Sequence, residues 1–186
     1  MKKVLLLTVV LMLSATMAFA QAGRIGLFAD PSGAVESCAI SDAAPGLLSI
    51  YVVHIATTGA TASQFEAPMP ACMVGASYLS DGAPFAVTIG NSQTGVAIGY
   101  GACLSEPIHC LTINVFAGGT STPCCIYEVI GDDDTASGQI EVVDCDENLI
   151  YGIGQSGVIN ATAACACVDI VADQESSWGK IKSLFE

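Results

Sequence analysis

The sequence predicts an all-β protein, a sandwich of about nine short antiparallel strands that disulfides stabilise. Apolar and polar residues alternate with a period of two in most segments, which is typical of half-buried strands. Turn residues recur between these segments, and no long amphipathic helix interrupts them. Nine cysteines follow an export signal, and cysteines of exported proteins are expected to form disulfides.

The first twenty residues have the organisation of a secretory signal. Lys2 and Lys3 precede an apolar run from Val4 to about Leu13, and Ala18-Phe19-Ala20 forms an A-x-A cleavage site. Cleavage there leaves 166 of the 186 residues, enough for one domain with a hydrophobic core. No later apolar run reaches the roughly eighteen residues of a membrane helix. The predicted location is therefore secreted, periplasmic or on the cell surface of a bacterium.

The N-terminal half contains strands that end at turn residues. Leu47–Ala56 is apolar on both faces, as expected for a central strand that is covered on both sides. Three shorter strands are predicted at Arg24–Ala29, Ala62–Ala67 and Cys72–Leu79. Ser80-Asp81-Gly82 is predicted to be the turn that follows the last of them.

Three consecutive strands in the middle of the chain show the clearest alternation. In Phe85–Ile89, the apolar residues Phe85, Val87 and Ile89 share one face, and Gly90-Asn91-Ser92 then supplies a turn. The third of these strands, His109–Ala117, directs Leu111, Ile113 and Val115 inward.

The second of these strands runs from Gly95 to Gly101 and differs between its two faces. Val96, Ile98 and Tyr100 share one face, whereas the opposite face carries only Gly and Ala. A face of such small residues suits either close approach by another backbone or a flat exposed surface.

The C-terminal half predicts further strands at Cys125–Ile130, Gln139–Asp144, Asn148–Ile153 and Gly157–Ala161. Gly131–Gly138 is an acidic loop between the first two of them. Together these segments form one domain over residues 21–171. Residues 172–186 have a different composition and are predicted to be a short amphipathic helical tail that docks through Trp178, Ile181, Leu184 and Phe185.

The cysteines are disulfide candidates whose pairing the spacing does not fix. Their odd number leaves at least one thiol over. Cys103 and Cys110 flank a short connection and are one plausible pair, whereas Cys124-Cys125 and Cys165-x-Cys167 are each expected to bond elsewhere. A zinc site is disfavoured because no C-x-x-C pair exists. The nine candidates are Cys38, Cys72, Cys103, Cys110, Cys124, Cys125, Cys145, Cys165 and Cys167.

The charge of the mature chain is strongly negative, with 18 acidic residues against three basic ones once Lys2 and Lys3 are removed. Nucleic acid is excluded as a partner, since phosphate contacts require clustered Lys and Arg. Asp132, Asp133 and Asp134 form the most concentrated acidic loop, which could bind calcium through its oxygens. A solvated loop is the simpler interpretation, and no other cofactor is expected.

Catalytic patterns are weak throughout the sequence. Gly152–Gly157 fits G-x-G-x-x-G, but a strand-like segment follows it where a dinucleotide site needs a helix, so we interpret it as a glycine turn. No G-x-S-x-G elbow is present. His54 and His109 are the only histidines, and each is placed at the end of a strand as a structural residue.

The order of elements around Ser63-Gln64-Phe65-Glu66, Gly95–Gly99, Leu111–Phe116 and the last strands resembles the cohesin-like and immunoglobulin-like sandwiches of secreted bacterial proteins. The resemblance covers most of the mature domain. Cohesins bind protein partners outside the cell, so the resemblance implies a role in adhesion or assembly. Ser177–Phe185 is similar to short C-terminal tails of secreted environmental bacterial proteins, which implies export or attachment.

The function expected from the sequence is a non-enzymatic, exported binding or surface-structural module with an extracellular protein or glycan as its partner. A calcium- or carbohydrate-binding accessory domain is the alternative, and its sugar-stacking candidates are Tyr78, Tyr100 and Tyr151. A secreted hydrolase is the third hypothesis.

Overall fold

The computed structural model describes residues 22–167, which form a β-sandwich with thirteen strands and one short 3-10 helix at Val35–Cys38. The predicted signal peptide of residues 1–20 and the predicted tail of residues 172–186 lie outside the described residues. Within residues 22–167, no helix is long and apolar enough to cross a membrane. The predicted all-β sandwich is confirmed, with more strands than the sequence pattern indicated.

The strands follow the alternating segments of the sequence. In chain order they are β1 (Arg24–Phe28), β2 (Ala39–Ile40), β3 (Pro45–Ile55), β4 (Ala60–Phe65), β5 (Ser77–Gly82), β6 (Val87–Asn91), β7 (Gly95–Leu104), β8 (Ile108–Gly118), β9 (Cys125–Tyr127), β10 (Glu141–Asp144), β11 (Leu149–Tyr151), β12 (Ile153–Gln155) and β13 (Gly157–Ile159).

Two five-stranded sheets form the layers of the sandwich. Sheet I has the order β12-β1-β3-β8-β5, and sheet II has the order β11-β10-β4-β7-β6. A smaller sheet III joins β2, β13 and β9. The pairs β1–β12 and β2–β13 are parallel, and the other pairs are antiparallel. The sequence indicated antiparallel strands only, because local alternation carries no information about which distant strand is the neighbour.

The core lies between sheets I and II and follows the predicted alternation. Val96 and Ile98 of β7 and Leu111, Ile113 and Val115 of β8 are buried, as expected for inward positions. The prediction that β3 is covered on both faces is also confirmed at its C-terminal end, where Val52, Val53 and His54 are all buried. A second small cluster of Phe28, Cys38 and Val53 covers the outer side of sheet I there.

Four disulfides connect eight of the nine cysteines, and Cys110 is a buried free thiol. The predicted pair Cys103–Cys110 is wrong, because Cys110 faces the core whereas Cys103 lies exposed near the end of β7. The adjacent pairs bond elsewhere, as predicted. The four bonds are Cys38–Cys167, Cys72–Cys125, Cys103–Cys145 and Cys124–Cys165.

Three local predictions are corrected by the structure. Ser80-Asp81-Gly82 belongs to β5 and pairs with β8 instead of forming a turn. The turn between β6 and β7 lies at Ser92-Gln93-Thr94, two residues later than predicted. The predicted glycine turn at Gly152–Gly157 contains strand β12 instead, and a Cβ at Gly154 in this strand would meet the Val129 carbonyl oxygen.

Candidate binding surface

The outer face of sheet II, called the apolar face below, is built from two rows of side chains that cross five strands. Strand pairing places the members of each row side by side on the outer surface of the sheet. The first row contains Tyr151, Glu141, Gln64, Ala97 and Ile89. The second row contains Leu149, Val143, Ala62, Gly99 and Val87.

The shape of the apolar face follows from the sizes of these side chains. Large residues occupy both edges, where Ile89 is 70% exposed and Tyr151 is 50% exposed. The small residues Ala62, Ala97 and Gly99 form the centre, which leaves a shallow depression of about 160 Å³. On the Gly/Ala side of β7, Ala97 and Gly99 lie on an open surface, whereas the Asp132 carboxylate closely approaches Gly95.

The outer face of sheet I is more polar at its centre. Ser49 and Asn114 lie opposite each other, and the Ser49 hydroxyl donates to Asn114 Oδ1 at 3.1 Å. Leu47 and Phe116 pair at one end of this face, and Leu47 is 72% exposed. Leu47 is therefore a matched control for Ile89, since the two have nearly the same exposure on opposite sides of the sandwich.

Acidic residues border the apolar face at the end where β4 leaves the sheet. The Asp132 carboxylate is buried and accepts hydrogen bonds from Gln64 Nε2 at 2.7 Å and from the Asp134 amide at 2.9 Å. Glu66 accepts the Asp133 amide at 3.0 Å. These bonds fix the acidic loop beside the first row, which itself contains Glu141.

The Asp132 side chain is buried and turns toward Gln64, whereas the side chains of Asp133 and Asp134 are exposed. Among residues 22–167, no cluster of three or more His, Cys, Asp or Glu side chains could hold a metal ion. Calcium binding by Asp132, Asp133 and Asp134 stays a prediction. Of the three tyrosines considered for sugar stacking, Tyr100 lies in the core and Tyr151 is exposed on the apolar face.

A buried polar cluster connects the two sheets beneath the apolar face. His54 Nε2 donates to the Ala22 carbonyl at 2.6 Å, and its Nδ1 lies 3.4 Å from the Tyr100 hydroxyl. The same hydroxyl donates to Ser63 Oγ at 2.7 Å and lies 3.3 Å from Cys110 Sγ. Burial raises the pKa of Cys110 to about 11, so its thiol remains protonated near neutral pH.

This cluster predicts acid sensitivity, because burial lowers the pKa of His54 below its ordinary value. Between the two pKa values the unfolded chain binds more protons than the folded protein, so stability falls as the pH decreases through this window. We expect the free energy of unfolding, measured in urea between pH 7.5 and pH 5.5, to fall more steeply for the native protein than for His54→Gln.

His109 contributes with the same sign, since burial also lowers its pKa. A His109→Gln variant therefore measures separately how much His109 contributes to the loss of stability at low pH. The double variant is expected to show the weakest dependence of the free energy of unfolding on pH. If the free energy of unfolding of His54→Gln fell with pH as steeply as that of the native protein, His54 would not be a source of the acid sensitivity.

A second polar network joins three loops at the other end of the sandwich. Asp42 is 1% exposed, and its carboxylate accepts the Gly119 amide at 2.8 Å, the Ser121 amide at 3.2 Å and the Ser121 hydroxyl. Asn160 accepts the Asp42 amide at 2.8 Å and donates to the carbonyls of Asp42 and Ser121. No local sequence pattern indicates this network, because its residues are far apart in the chain.

Solved structures of three cohesin modules are similar to this chain in fold. The sixth cohesin of scaffoldin B from Acetivibrio cellulolyticus, in complex with a Cel5 dockerin mutant, has 11% sequence identity and a TM-score of 0.49 over 75% of this chain and 98% of that chain. The third ScaB cohesin of R. flavefaciens, in complex with a group 1 dockerin, has 14% identity and a TM-score of 0.48 over 78% and 98%.

A non-cellulosomal cohesin from the archaeon Archaeoglobus fulgidus has 10% identity and a TM-score of 0.47 over 76% of this chain and 91% of that chain. At these identities the similarity concerns the fold alone. The sequence pattern resembles cohesin-like sandwiches, and these solved cohesin structures are similar to this chain in fold. Comparison with protein-family profiles and with curated proteins gives no match.

Proposed function

We propose that this protein is a non-enzymatic, exported binding module that holds a partner protein on the apolar face of sheet II. The observation that carries the proposal is the pair of rows across the five strands, with large apolar side chains exposed at both edges and a depression between them. Soluble proteins seldom leave a contiguous apolar surface of this kind uncovered unless something binds it.

Two further observations support a non-enzymatic, exported module. The chemically reactive side chains His54 and Cys110 are buried in the core, where a substrate would not reach them. Four disulfides stabilise residues 22–167, and such bonds persist in oxidising compartments outside the cytoplasm.

The surroundings of the apolar face indicate the chemistry of the partner. An aromatic or large aliphatic side chain would fill the depression over Gly99, since such anchors dominate binding energies in protein interfaces. Glu141 lies in the first row of the apolar face, and Glu66 and the acidic loop lie at the border of that face. Arg24 of β1 is the only Lys or Arg between residues 22 and 167. A partner with basic residues beside its apolar anchor therefore fits this face best.

A photo-crosslinking amino acid at position 89 tests the proposal in the full mature chain under exporting conditions. We expect an adduct from position 89 and none of comparable yield from position 47 on the opposite sheet. Mass spectrometry then identifies the partner and the cross-linked peptide. Equal yields at the two positions would contradict the binding role of the apolar face.

The substitution Ile89→Glu is expected to weaken binding of the identified partner by about 30-fold or more, as for the anchor of an interface hot spot. Leu149→Glu on the opposite edge is expected to act in the same direction. Leu47→Glu is the control and should bind like the native chain. Because all three side chains are exposed, thermal unfolding of each variant should match the native protein.

A further inference from the structure

The sequence beyond the described residues contains a segment whose chemistry complements the apolar face. Residues 174–186 carry the apolar side chains Trp178, Ile181, Leu184 and Phe185. The same segment carries Lys180 and Lys182, which are two of the three basic residues of the mature chain. It therefore combines large apolar anchors with adjacent positive charge.

The apolar face supplies the opposite features. Its ten residues include no basic residue, and Glu141 is the one charged residue among them. The depression above Gly99 is open to solvent at its centre, where a Cβ would find only Val87 at 3.4 Å. A tryptophan or phenylalanine inserted there would bury apolar surface, and the lysines would lie close to the acidic border.

The position of Cys167, the last described residue, indicates whether residues 174–186 can contact the apolar face of their own copy or that of another. Cys167 is bonded to Cys38 and packs with Phe28 and Val53 on the outer side of sheet I. The apolar face lies on the other layer. The described chain therefore ends, at Cys167, on the side of the sandwich opposite to the apolar face.

The length of chain available makes contact within one copy unfavourable. Eleven residue steps separate Cys167 from Trp178, which span at most about 38 Å when fully extended. A path from Cys167 to the centre of the apolar face would first run to the edge of sheet I. It would then cross to sheet II, about 10 Å away, and continue over half of that sheet at about 4.8 Å per strand. That path would use nearly the full extension and fix every residue along it.

We infer that the apolar face of one copy binds residues 174–186 of a second copy of this chain. This inference rests on the binding function proposed above and names its partner. The contact is heterologous, because the face of one copy binds a different part of the second copy, and each bound copy still offers a free face or a free segment. Such a contact produces open head-to-tail assemblies instead of a closed dimer.

Sedimentation equilibrium of the full mature chain and two variants tests the inference. The variant Ile89→Glu blocks the face and keeps the segment, whereas Trp178→Ala with Phe185→Ala weakens the segment and keeps the face. We expect the average mass of the native protein to increase with concentration. Each variant alone should associate at least about 30-fold more weakly than the native protein. An equimolar mixture of the two variants should form one-to-one dimers and stop there.

The matched control is Leu47→Glu, which should assemble like the native chain. A native protein that stays monomeric at every concentration would overturn the inference, and so would assembly that persists in the Trp178→Ala, Phe185→Ala variant. A synthetic peptide of residues 174–186 should dissociate the native assemblies, and failure to do so would also count against the contact.

The cross-link from position 89 separates failure of this inference from failure of the binding function. An adduct between two copies that maps to residues 174–186 supports both. An adduct to a different protein, or to residues 174–186 within one copy, overturns the second-copy contact and leaves the apolar face as a binding surface. Equal yields at positions 89 and 47 overturn the binding function itself.

Discussion

Replacing Cys72 and Cys125 with alanine is expected to lower the free energy of unfolding by about 4 kcal/mol. This disulfide closes a segment of 53 residues, and its removal gives the unfolded chain the conformational freedom of that segment. Cys125 is buried in β9, and Cys72 packs against the core, so the substitution also removes packing between sheet III and the loop before β5.

Urea denaturation of the double variant and the native protein measures this effect. Cys110→Ala is the control, since it removes a buried thiol without removing a disulfide and is expected to cost about 1 kcal/mol. A loss below about 1 kcal/mol in the Cys72→Ala, Cys125→Ala variant would show that the denatured chain is already compact in this region.

Replacing Asp42 with alanine is expected to cost about 3 kcal/mol. The carboxylate accepts three hydrogen bonds from Gly119 and Ser121, and each donor would lose its acceptor, with Ser121 itself buried. Hydrogen bonds to charged groups contribute about 1.5–3 kcal/mol each, and an unsatisfied buried donor adds a desolvation cost. The loop between β8 and β9 should therefore become the least stable part of the domain.

Thermal and urea unfolding measure the total cost, and hydrogen exchange at the Gly119 and Ser121 amides reports the local change. Asp42→Asn retains one oxygen acceptor and is expected to cost about half as much. Unchanged protection of both amides in Asp42→Ala would show that the backbone contacts of Asn160 hold the loop without the carboxylate.

The alternation of apolar residues was sufficient to predict the core sides of β7 and β8, since a period of two fixes which residues share a face. It did not distinguish the core from an exposed apolar surface. Phe85, Val87 and Ile89 were grouped on one face, whereas Phe85 turns into the core against Tyr100 and the other two are exposed. Alternation describes one strand, and burial depends on which layer covers it.

Long-range contacts are the part that the sequence could not supply. The predicted pairing of Cys103 with Cys110 followed from their proximity in the chain, whereas Cys103 of β7 bonds Cys145 in the turn between β10 and β11. Asp42 and Asn160 were missed for the same reason. Asn160 stands in an Asn-Ala-Thr sequence that matches a glycosylation sequon, yet its amide is committed to Asp42 and Ser121.

The bond between Cys38 and Cys167 also has a mechanical consequence. It encloses a sequence separation of 129 residues, so a load applied to the chain after Cys167 passes through sulfur directly to Cys38. In a single-molecule pulling experiment between residue 22 and residue 167, only the stretch before Cys38 can lengthen while the bond is intact. That stretch has a contour length of about 50–60 Å at roughly 3.5 Å per residue, which is the upper limit of the gain, and reductant should release several hundred ångströms more.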